Sequence, residues 1–214
     1  MSEWANSGDL LDFIRNNYRE FNLLFWKVLF FQLLSALAVI QSKYPSFRHN
    51  DLKANNVLIH KVKKKQGKKF SYTICRSKYI VPSIGYSIKL WDFDFACIPG
   101  LVNNAKVNAE WTNTINVKPV QNRYYDMHFF FNTLIKRGYF PKFMTEECVP
   151  IEVKEFINRI IPKKYQEFTG DDGIISERFR ILIDDEYVTP DYVLKHDIFF
   201  EEFRYKYNKV PNKK

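Results

Sequence analysis

The spacing of hydrophobic residues predicts a mainly helical chain with a β region in its middle. Residues 7–17, SGDLLDFIRNN, place apolar side chains on one helical face behind Ser7 or Asp9, either of which can cap the first free amide groups. Residues 21–43 form a long, strongly apolar run, which predicts a buried helix that stops before Pro45. Further helices are predicted at residues 123–138, 150–162 and 190–203.

Strand patterns fill the interval after the long apolar run. The candidates are NVLIHKV (56–62), FSYTICR (70–76), YIVP (79–82) and YSIKLWDFDFA (86–96). The intervening KKKQGKK predicts a charged turn at Gly67, so its lysines are expected at the solvated tip of a hairpin. That cluster comprises Lys61, Lys63, Lys64, Lys65, Lys68 and Lys69. The predicted fold class is therefore α+β, mainly α, with an inserted β-hairpin region at 57–92 and an irregular stretch at 96–122.

The apolar run FNLLFWKVLFFQLLSALAVI (21–40) also approaches the length of a membrane span, which is roughly 20 residues. Lys27 near its middle would cost about 2.5–3.5 kcal/mol on insertion scales, a cost that the surrounding Leu and Phe can offset. Asn22, Gln32 and Ser35 interrupt the run as well. We therefore favour a buried helix and expect no membrane span, although hydropathy alone leaves both alternatives open.

Charge and cysteine content narrow the class of partner and the compartment. Lysine and arginine total 33 against 24 acidic residues, a formal net charge of +9. This excess favours nucleotide phosphates, nucleic acid or an anionic membrane, although an excess of solvated surface lysine explains it equally well. The three cysteines have no metal-ligand spacing, and no signal peptide is visible. These features predict a reducing, cytoplasmic location.

The strongest candidate chemistry lies in FRHNDLKANNVLIH (47–60), just after the long helix. Asp51, Lys53 and Asn56 fall within six positions, and Asp92 follows the last predicted strand. If the two strands lie side by side, these side chains meet at the same end of the strand pair. Carboxylate and amide oxygens suit a hard cation such as Mg²⁺. A further carboxylate can take a proton from a hydroxyl, and a lysine can neutralise a phosphoryl group in transfer.

At these residues the chain resembles the protein kinase superfamily. HNDLKANN (49–56) is similar to the kinase catalytic loop H-R-D-L-K-x-x-N, and DFDFA (92–96) is similar to the D-F-G segment. EWANSGDLLDFI (3–14) resembles the hinge and following helix, and YYDMHFFFNTLIKRG (124–138) resembles the helix whose aspartate anchors the catalytic loop. TPDYVLKHDIFFEEF (189–203) resembles the closing helix. The nearest likeness is to the serine/threonine kinases of large DNA viruses, poxviruses included, which would make the location a host cytoplasm or a virion.

The resemblance implies roles in phosphoryl transfer from ATP to protein serine or threonine. Asp51 would be the catalytic base, and Lys53 would contact the transferring phosphate. Asn56 and Asp92 would hold Mg²⁺ or Mn²⁺. His49 is expected to be a packed core histidine, and Asp126 is expected to support the loop.

The resemblance also implies a nucleotide site and a division of the chain. Glu3 and Ala5 would offer hinge backbone groups to adenine, Asp9 would meet the ribose, and Leu58 would form the floor beneath the base. Residues 1–205 would form a kinase C-terminal lobe, followed by a basic tail at 206–214. Within that lobe the hinge and following helix would occupy 1–14, the catalytic loop 47–58 and the activation segment 92–125.

Departures from the family pattern limit these expectations. Asn50 replaces the usual arginine, so activation by pairing with a phosphorylated activation segment is not expected. Asp94 replaces the D-F-G glycine. The seven glycines contain no G-x-G-x-x-G arrangement, and no V-A-I-K lysine is present. The N-terminal lobe is therefore expected to be absent and to be supplied by an upstream segment or a partner chain.

Two other functions stay open beside an enzyme that phosphorylates a protein substrate. The chain could be a non-catalytic kinase-like scaffold or binding module that uses the former substrate groove. It could also bind nucleic acid through its lysine cluster, although that cluster lacks the interleaved aromatic residues of single-strand binders. An upstream reading frame with a Gly-rich loop would favour the enzyme, and affinity that falls steeply with salt would favour nucleic-acid binding.

Overall fold

The computed structural model describes residues 5–62, 68–168, 170 and 173–205, and over these ranges the fold is mixed α and β. The helices are α1 (Leu10–Asn17), α2 (Leu23–Lys43), α3 (Glu110–Asn113), α4 (Tyr125–Leu134), α5 (Ile151–Ile160) and α6 (Pro190–His196). The strands are β1 (Val57–Lys61), β2 (Lys69–Ile74), β3 (Ser77–Pro82) and β4 (Tyr86–Leu90). Short 3-10 turns occupy Tyr18–Glu20, Ala54–Asn56, Phe93–Phe95, Lys163–Tyr165 and Ile198–Phe203. Glu3, Lys63, Lys64, Lys65 and the tail 206–214 lie outside the described residues.

The first two helices confirm the sequence pattern. Asp9 caps α1 by accepting a hydrogen bond from the Asp12 amide at 3.0 Å, which decides between the two predicted capping residues. Asn22 caps α2 in the same way, accepting from the Phe25 amide at 2.9 Å. Each cap satisfies an amide that has no partner within its own helix.

Helix α2 lies at the centre of the hydrophobic core. Its buried side chains pack against α5, α6, β4 and the 3-10 turn at Ile198–Phe203. The Phe30 ring is fully buried, with its centroid 4.9 Å from that of Phe131 and 5.9 Å from that of Phe156. The helix meets the length and composition criterion for a membrane span, and half of the relevant window is buried inside the protein.

The β region corrects the predicted strand pairing. Antiparallel β1 pairs with β4, and antiparallel β2 pairs with β3. The turn between β2 and β3 is therefore Cys75–Arg76, and β1, which precedes the lysine-rich segment, pairs with β4 and not with β2. Both turn residues have positive φ, 45° and 70°, as a two-residue primed turn requires. No local sequence signal predicts this turn, because it lacks the usual Asn-Gly or Asp-Gly pair. Gly67, where the charged turn was predicted, lies outside the described residues.

The helices predicted at 123–138 and 190–203 end earlier in the structure than the sequence pattern predicts. Helix α4 ends at Leu134, before Gly138, because the chain turns there and the Leu134 carbonyl accepts from the Phe140 amide at 3.1 Å. The predicted helix at 190–203 divides at Asp197, whose carboxylate accepts from the Phe199 amide at 2.8 Å. That side-chain cap begins a new 3-10 turn and interrupts the α-helical hydrogen bonds.

Candidate active site

The predicted catalytic loop, residues 47–58, is held in place by a buried carboxylate on α4. The two oxygens of Asp126 accept from the amide of His49 at 2.8 Å and from that of Asn50 at 2.9 Å. The His49 ring donates through Nε2 to the Trp91 carbonyl at 2.9 Å. Both His49 and Asp126 are fully buried. Asp126 therefore fixes the backbone beside Asp51, and His49 ties the loop to the end of β4.

Three predicted site residues meet in one hydrogen-bonded cluster. Lys53 Nζ lies 2.9 Å from Asp51 Oδ2, and Asn56 Nδ2 donates to the same oxygen at 2.9 Å. Asn56 Nδ2 also donates to the Asp51 backbone carbonyl at 2.8 Å. These contacts close a tight turn over six residues and set the orientation of the Asp51 carboxylate.

Arg180, which the sequence analysis missed, completes the surroundings of Asp51. Its Nη2 lies 2.5 Å from Asp51 Oδ1, and its Nη1 donates to the carbonyl of Asn50 and to the hydroxyl of Tyr125. Burial by itself would lower the pKa of Arg180, but Tyr125 and Asp51 outweigh it and the pKa is raised. No local signal in SERFRIL marks this arginine, because its partners lie more than fifty residues away in the sequence.

The residues predicted to hold a metal, Asn56 and Asp92, lie near each other because β1 pairs with β4. Val57 pairs with Leu90, and the Trp91 amide donates to the Asn56 carbonyl at 2.9 Å. Asp92 follows directly, in the left-handed region at φ 58°, and its side chain is exposed. Within the described ranges, neither Asn56 Oδ1 nor the Asp92 carboxylate has a hydrogen-bond or ion-pair partner. Two such oxygens fit a hard cation that takes its remaining ligands from phosphate and water.

The residues predicted to contact a nucleotide lie along the opposite side of β1. Segment 5–9 runs antiparallel to the strand, with an isolated bridge between Asp9 and Leu58 and a bond from the Ile59 amide to the Gly8 carbonyl at 2.9 Å. Asp9 uses one carboxylate oxygen to cap α1. Ala5 is half-buried at the start of the described chain. The structure thus brings Asp9 and Leu58 together.

A second arginine missed by the sequence analysis, Arg48, joins loop 47–58 to the segment 92–125. Its backbone pairs with that of Cys97 through bonds of 2.9 and 3.1 Å. Its buried guanidinium donates to the carbonyls of Asn116 and Val120. The guanidinium carbon of Arg48 lies 3.7 Å from the centroid of the Tyr125 ring. Apart from α3, the segment 96–122 is irregular, as predicted.

A pocket of about 440 Å³ opens beside Asp51 and Lys53. Aromatic side chains, including those of Phe95, Trp111 and Phe179, contribute much of its lining. A wider groove of about 870 Å³ lies between α5 and α6, but it contains none of the predicted site residues. Of these two, the smaller pocket is therefore the one that adjoins the Asp51 and Lys53 cluster.

Comparison with known proteins gives two findings. The family model of poxvirus serine/threonine protein kinases matches residues 13–169. A curated protein of Acanthamoeba polyphaga mimivirus, named "Putative serine/threonine-protein kinase R400", is 50% identical over 208 residues. The alignment covers 96% of this chain and 44% of that protein, so the chain spans less than half the length of the curated relative it matches.

Proposed function

The chain belongs to the poxvirus serine/threonine protein kinase family, and on that premise we propose that it carries the catalytic residues for phosphoryl transfer from ATP to a protein serine or threonine. In fold terms it would form a kinase-like C-terminal lobe. The observation that carries the proposal is the hydrogen-bonded cluster of Asp51, Lys53 and Asn56. A base, a cation and a ligand oxygen are the groups that this reaction needs in one place.

In the proposed reaction Asp51 acts on the acceptor hydroxyl. Asp51 orients the serine or threonine oxygen toward the γ-phosphorus and accepts its proton. A bond forms between that oxygen and the γ-phosphorus, and the bond from the γ-phosphorus to the β–γ bridging oxygen breaks, releasing ADP. Lys53 stabilises the negative charge on the transferring group. The proton leaves Asp51 for solvent and restores the carboxylate.

Asn56 and Asp92 would hold the metal, and the fact that Asn56 Oδ1 and the Asp92 carboxylate have no other partner among the described residues supports that role. Magnesium, when bound, neutralises charge on the phosphate oxygens and favours departure of ADP. Asp9 and Leu58 would meet the ribose and adenine, with Ala5 at the hinge. Lys53 stands two residues after the base, which by resemblance to the family favours serine or threonine over tyrosine as the acceptor.

Completion of the site by another segment is part of the proposal. The sequence holds no Gly-rich phosphate loop and no V-A-I-K lysine, and these elements clamp the ATP phosphates in the family. We therefore expect a partner chain or a further segment of a longer protein to supply them. Nucleotide binding to this chain alone should be weak, and turnover should rise when that partner is present.

The first experiment is calorimetric titration of the purified chain with ATP, with and without Mg²⁺. Binding that requires Mg²⁺ and is lost in Asp92→Asn is the expected result. Asp184→Asn is the matched control, because Asp184 is exposed and, within the part of the chain that the structure describes, its carboxylate pairs only with Lys118, at 3.8 Å. Mg²⁺-independent binding, or equal binding by both variants, would contradict the proposed metal site.

The second experiment follows transfer of the ATP γ-phosphoryl group to acidic, basic and neutral protein acceptors. The chain, together with the segment or partner chain proposed to complete its site, should modify serine or threonine. Asp51→Asn should reduce the rate by at least 100-fold, while Asp184→Asn should not reduce it. If wild type and Asp51→Asn transfer phosphate equally poorly in every preparation, the enzyme assignment fails and a binding module becomes the better description.

A further inference from the structure

The guanidinium of Arg180 forms a fork across two consecutive residues of loop 47–58. One nitrogen contacts the Asp51 carboxylate and the other the Asn50 carbonyl. The guanidinium carbon also lies 4.0 Å from the centroid of the Phe129 ring, and the side chain is only 8% exposed. Because the planar guanidinium donates in fixed directions, its two contacts constrain both the position and the rotation of the Asp51 carboxylate.

The segment that presents Arg180 is itself held in place. The Ser176 amide donates to the Arg180 carbonyl at 2.8 Å, and the Arg180 amide donates to Ser176 Oγ at 3.1 Å. Asn116 donates to the Ile181 carbonyl at 2.9 Å, and Asn132 donates to the Phe179 carbonyl at 3.0 Å. Arg180 is therefore a side chain on a fixed support, anchored both to α4 and to the segment 92–125.

Asp51 has no other partner for Oδ1 among the described residues. Lys53 and Asn56 both contact Oδ2, so without Arg180 the carboxylate could rotate about its own axis and exchange its oxygens. Loop 47–58 offers no substitute, because the position before Asp51 is Asn50, whose side chain donates to the Phe95 carbonyl at 3.0 Å.

We propose that Arg180 is a positioning residue for the reaction, which fixes the Asp51 carboxylate and the adjoining backbone so that Oδ2 faces the acceptor hydroxyl. This inference rests on the proposed function. Arg180 acts through Asp51, which it contacts directly. Its removal therefore lowers the rate of transfer and leaves nucleotide affinity almost unchanged.

The test compares Arg180→Met and Arg180→Lys with the wild type in the phosphotransfer assay described above. The Met variant lacks the charge and the fork, whereas the Lys variant keeps the charge alone. Arg159→Met is the matched control, because Arg159 also forms a forked ion pair, with Asp197, away from the cluster. All variants are first required to unfold in a single cooperative transition.

We expect kcat to fall roughly 10- to 100-fold in both Arg180 variants, with KM for ATP changed less than about 2-fold. Arg159→Met should keep the wild-type kcat. Added guanidinium ion should restore part of the activity of Arg180→Met and none of the activity lost in Asp51→Asn. An unchanged kcat would overturn the proposal, and so would an increased kcat, which would instead make the ion pair an inhibitory contact.

A second readout separates this inference from the proposed function. Hydrogen exchange of the amides at residues 49–52 should accelerate in Arg180→Met and stay at the wild-type rate in Arg159→Met. Equal exchange in all three proteins overturns the positioning role even when the enzyme is active. A different outcome is that the wild type transfers no phosphate while amide exchange is accelerated in Arg180→Met. That result overturns the proposed function but supports the contact between Arg180 and loop 47–58.

Discussion

At the scale of single residues, buried polar groups determine the geometry of loop 47–58. Asp126 lies in the core and still has both carboxylate oxygens satisfied by backbone amides of the loop. A buried donor that loses its acceptor costs about 1–3 kcal/mol. Asp126 therefore stabilises the fold and aligns the loop through the same two hydrogen bonds.

Replacement of this carboxylate should destabilise the protein. Asp126→Ala leaves the amides of His49 and Asn50 without acceptors, so the free energy of unfolding should fall by about 2–5 kcal/mol. Urea denaturation followed by tryptophan fluorescence measures the change. Asp184→Ala, which removes an exposed carboxylate, should cost less than about 1 kcal/mol. Equal losses in the two variants would show that the Asp126 contacts are not structural.

His128 makes stability depend on pH. Burial lowers the pKa of His128 to about 4, and the neutral ring lies 2.7 Å from the Tyr165 carbonyl through Nε2. The unfolded chain binds this proton at a pKa near 6.5, so stability is present above that value and is lost as pH falls toward 4.

Between pH 7 and pH 5 the His128 contribution should fall by about 2 kcal/mol. The urea concentrations at the unfolding midpoints of the wild type and His128→Gln, determined at both pH values, measure this change in stability. The variant should lose less stability than the wild type over this interval, whereas His196→Gln, which alters an exposed histidine, should follow the wild type. Identical pH dependence in wild type and His128→Gln would refute the assignment.

At the scale of elements, α2 is the central support of the fold. Its fully buried Phe30 lies among the rings of Trp26, Phe131, Phe156 and Phe199. These rings join α2 to α4, α5 and the 3-10 turn at Ile198–Phe203. A cavity at this position would weaken three contacts between elements at once.

Truncation of this ring should be among the costlier core substitutions. Phe30→Ala should lower the free energy of unfolding by about 3–5 kcal/mol, through lost burial and the cavity left behind. Ile198→Ala, at a side chain that is 68% exposed, is the control and should change stability by less than about 0.5 kcal/mol. Chemical denaturation measures the free energy of unfolding of both variants. A small loss of stability in Phe30→Ala would place α2 outside the core.

At the scale of the whole molecule, the packing of α2 within the core bears on whether the chain associates with a membrane. The helix is long and apolar enough to span a bilayer. However, its charged residue Lys27 forms an ion pair of 2.6 Å with Glu202, and α5 and α6 pack against the helix. The predicted cytoplasmic or virion location depends on the same question and stays a prediction.

Detergent phase separation tests this expectation. The chain should remain in the aqueous phase, because its long apolar helix packs against other elements of the same chain. Lys27→Leu should leave that distribution unchanged, since the lysine is not what keeps the helix out of lipid. Recovery in the detergent phase, or a marked shift on Lys27→Leu, would instead support a membrane-associated α2.

Much of the fold and site could be derived from local sequence. The presence of a capped α1 and the position of the long helix α2 both depend on residues close together in the chain. The Asp51, Lys53 and Asn56 cluster follows for the same reason, since a six-residue turn brings them into hydrogen-bonding distance. Local periodicity and short-range hydrogen bonds therefore determined the elements and the centre of the candidate site.

Tertiary structure alone decided the features that depend on distant partners. The β2–β3 hairpin has a Cys-Arg turn that gives no sequence signal, and cross-strand pairing established it. Arg180 reaches Asp51 across 129 positions, and Arg48 reaches Asn116 across 68. Nothing in the residues around an arginine tells which buried oxygen it will contact, because that choice depends on how the whole core packs.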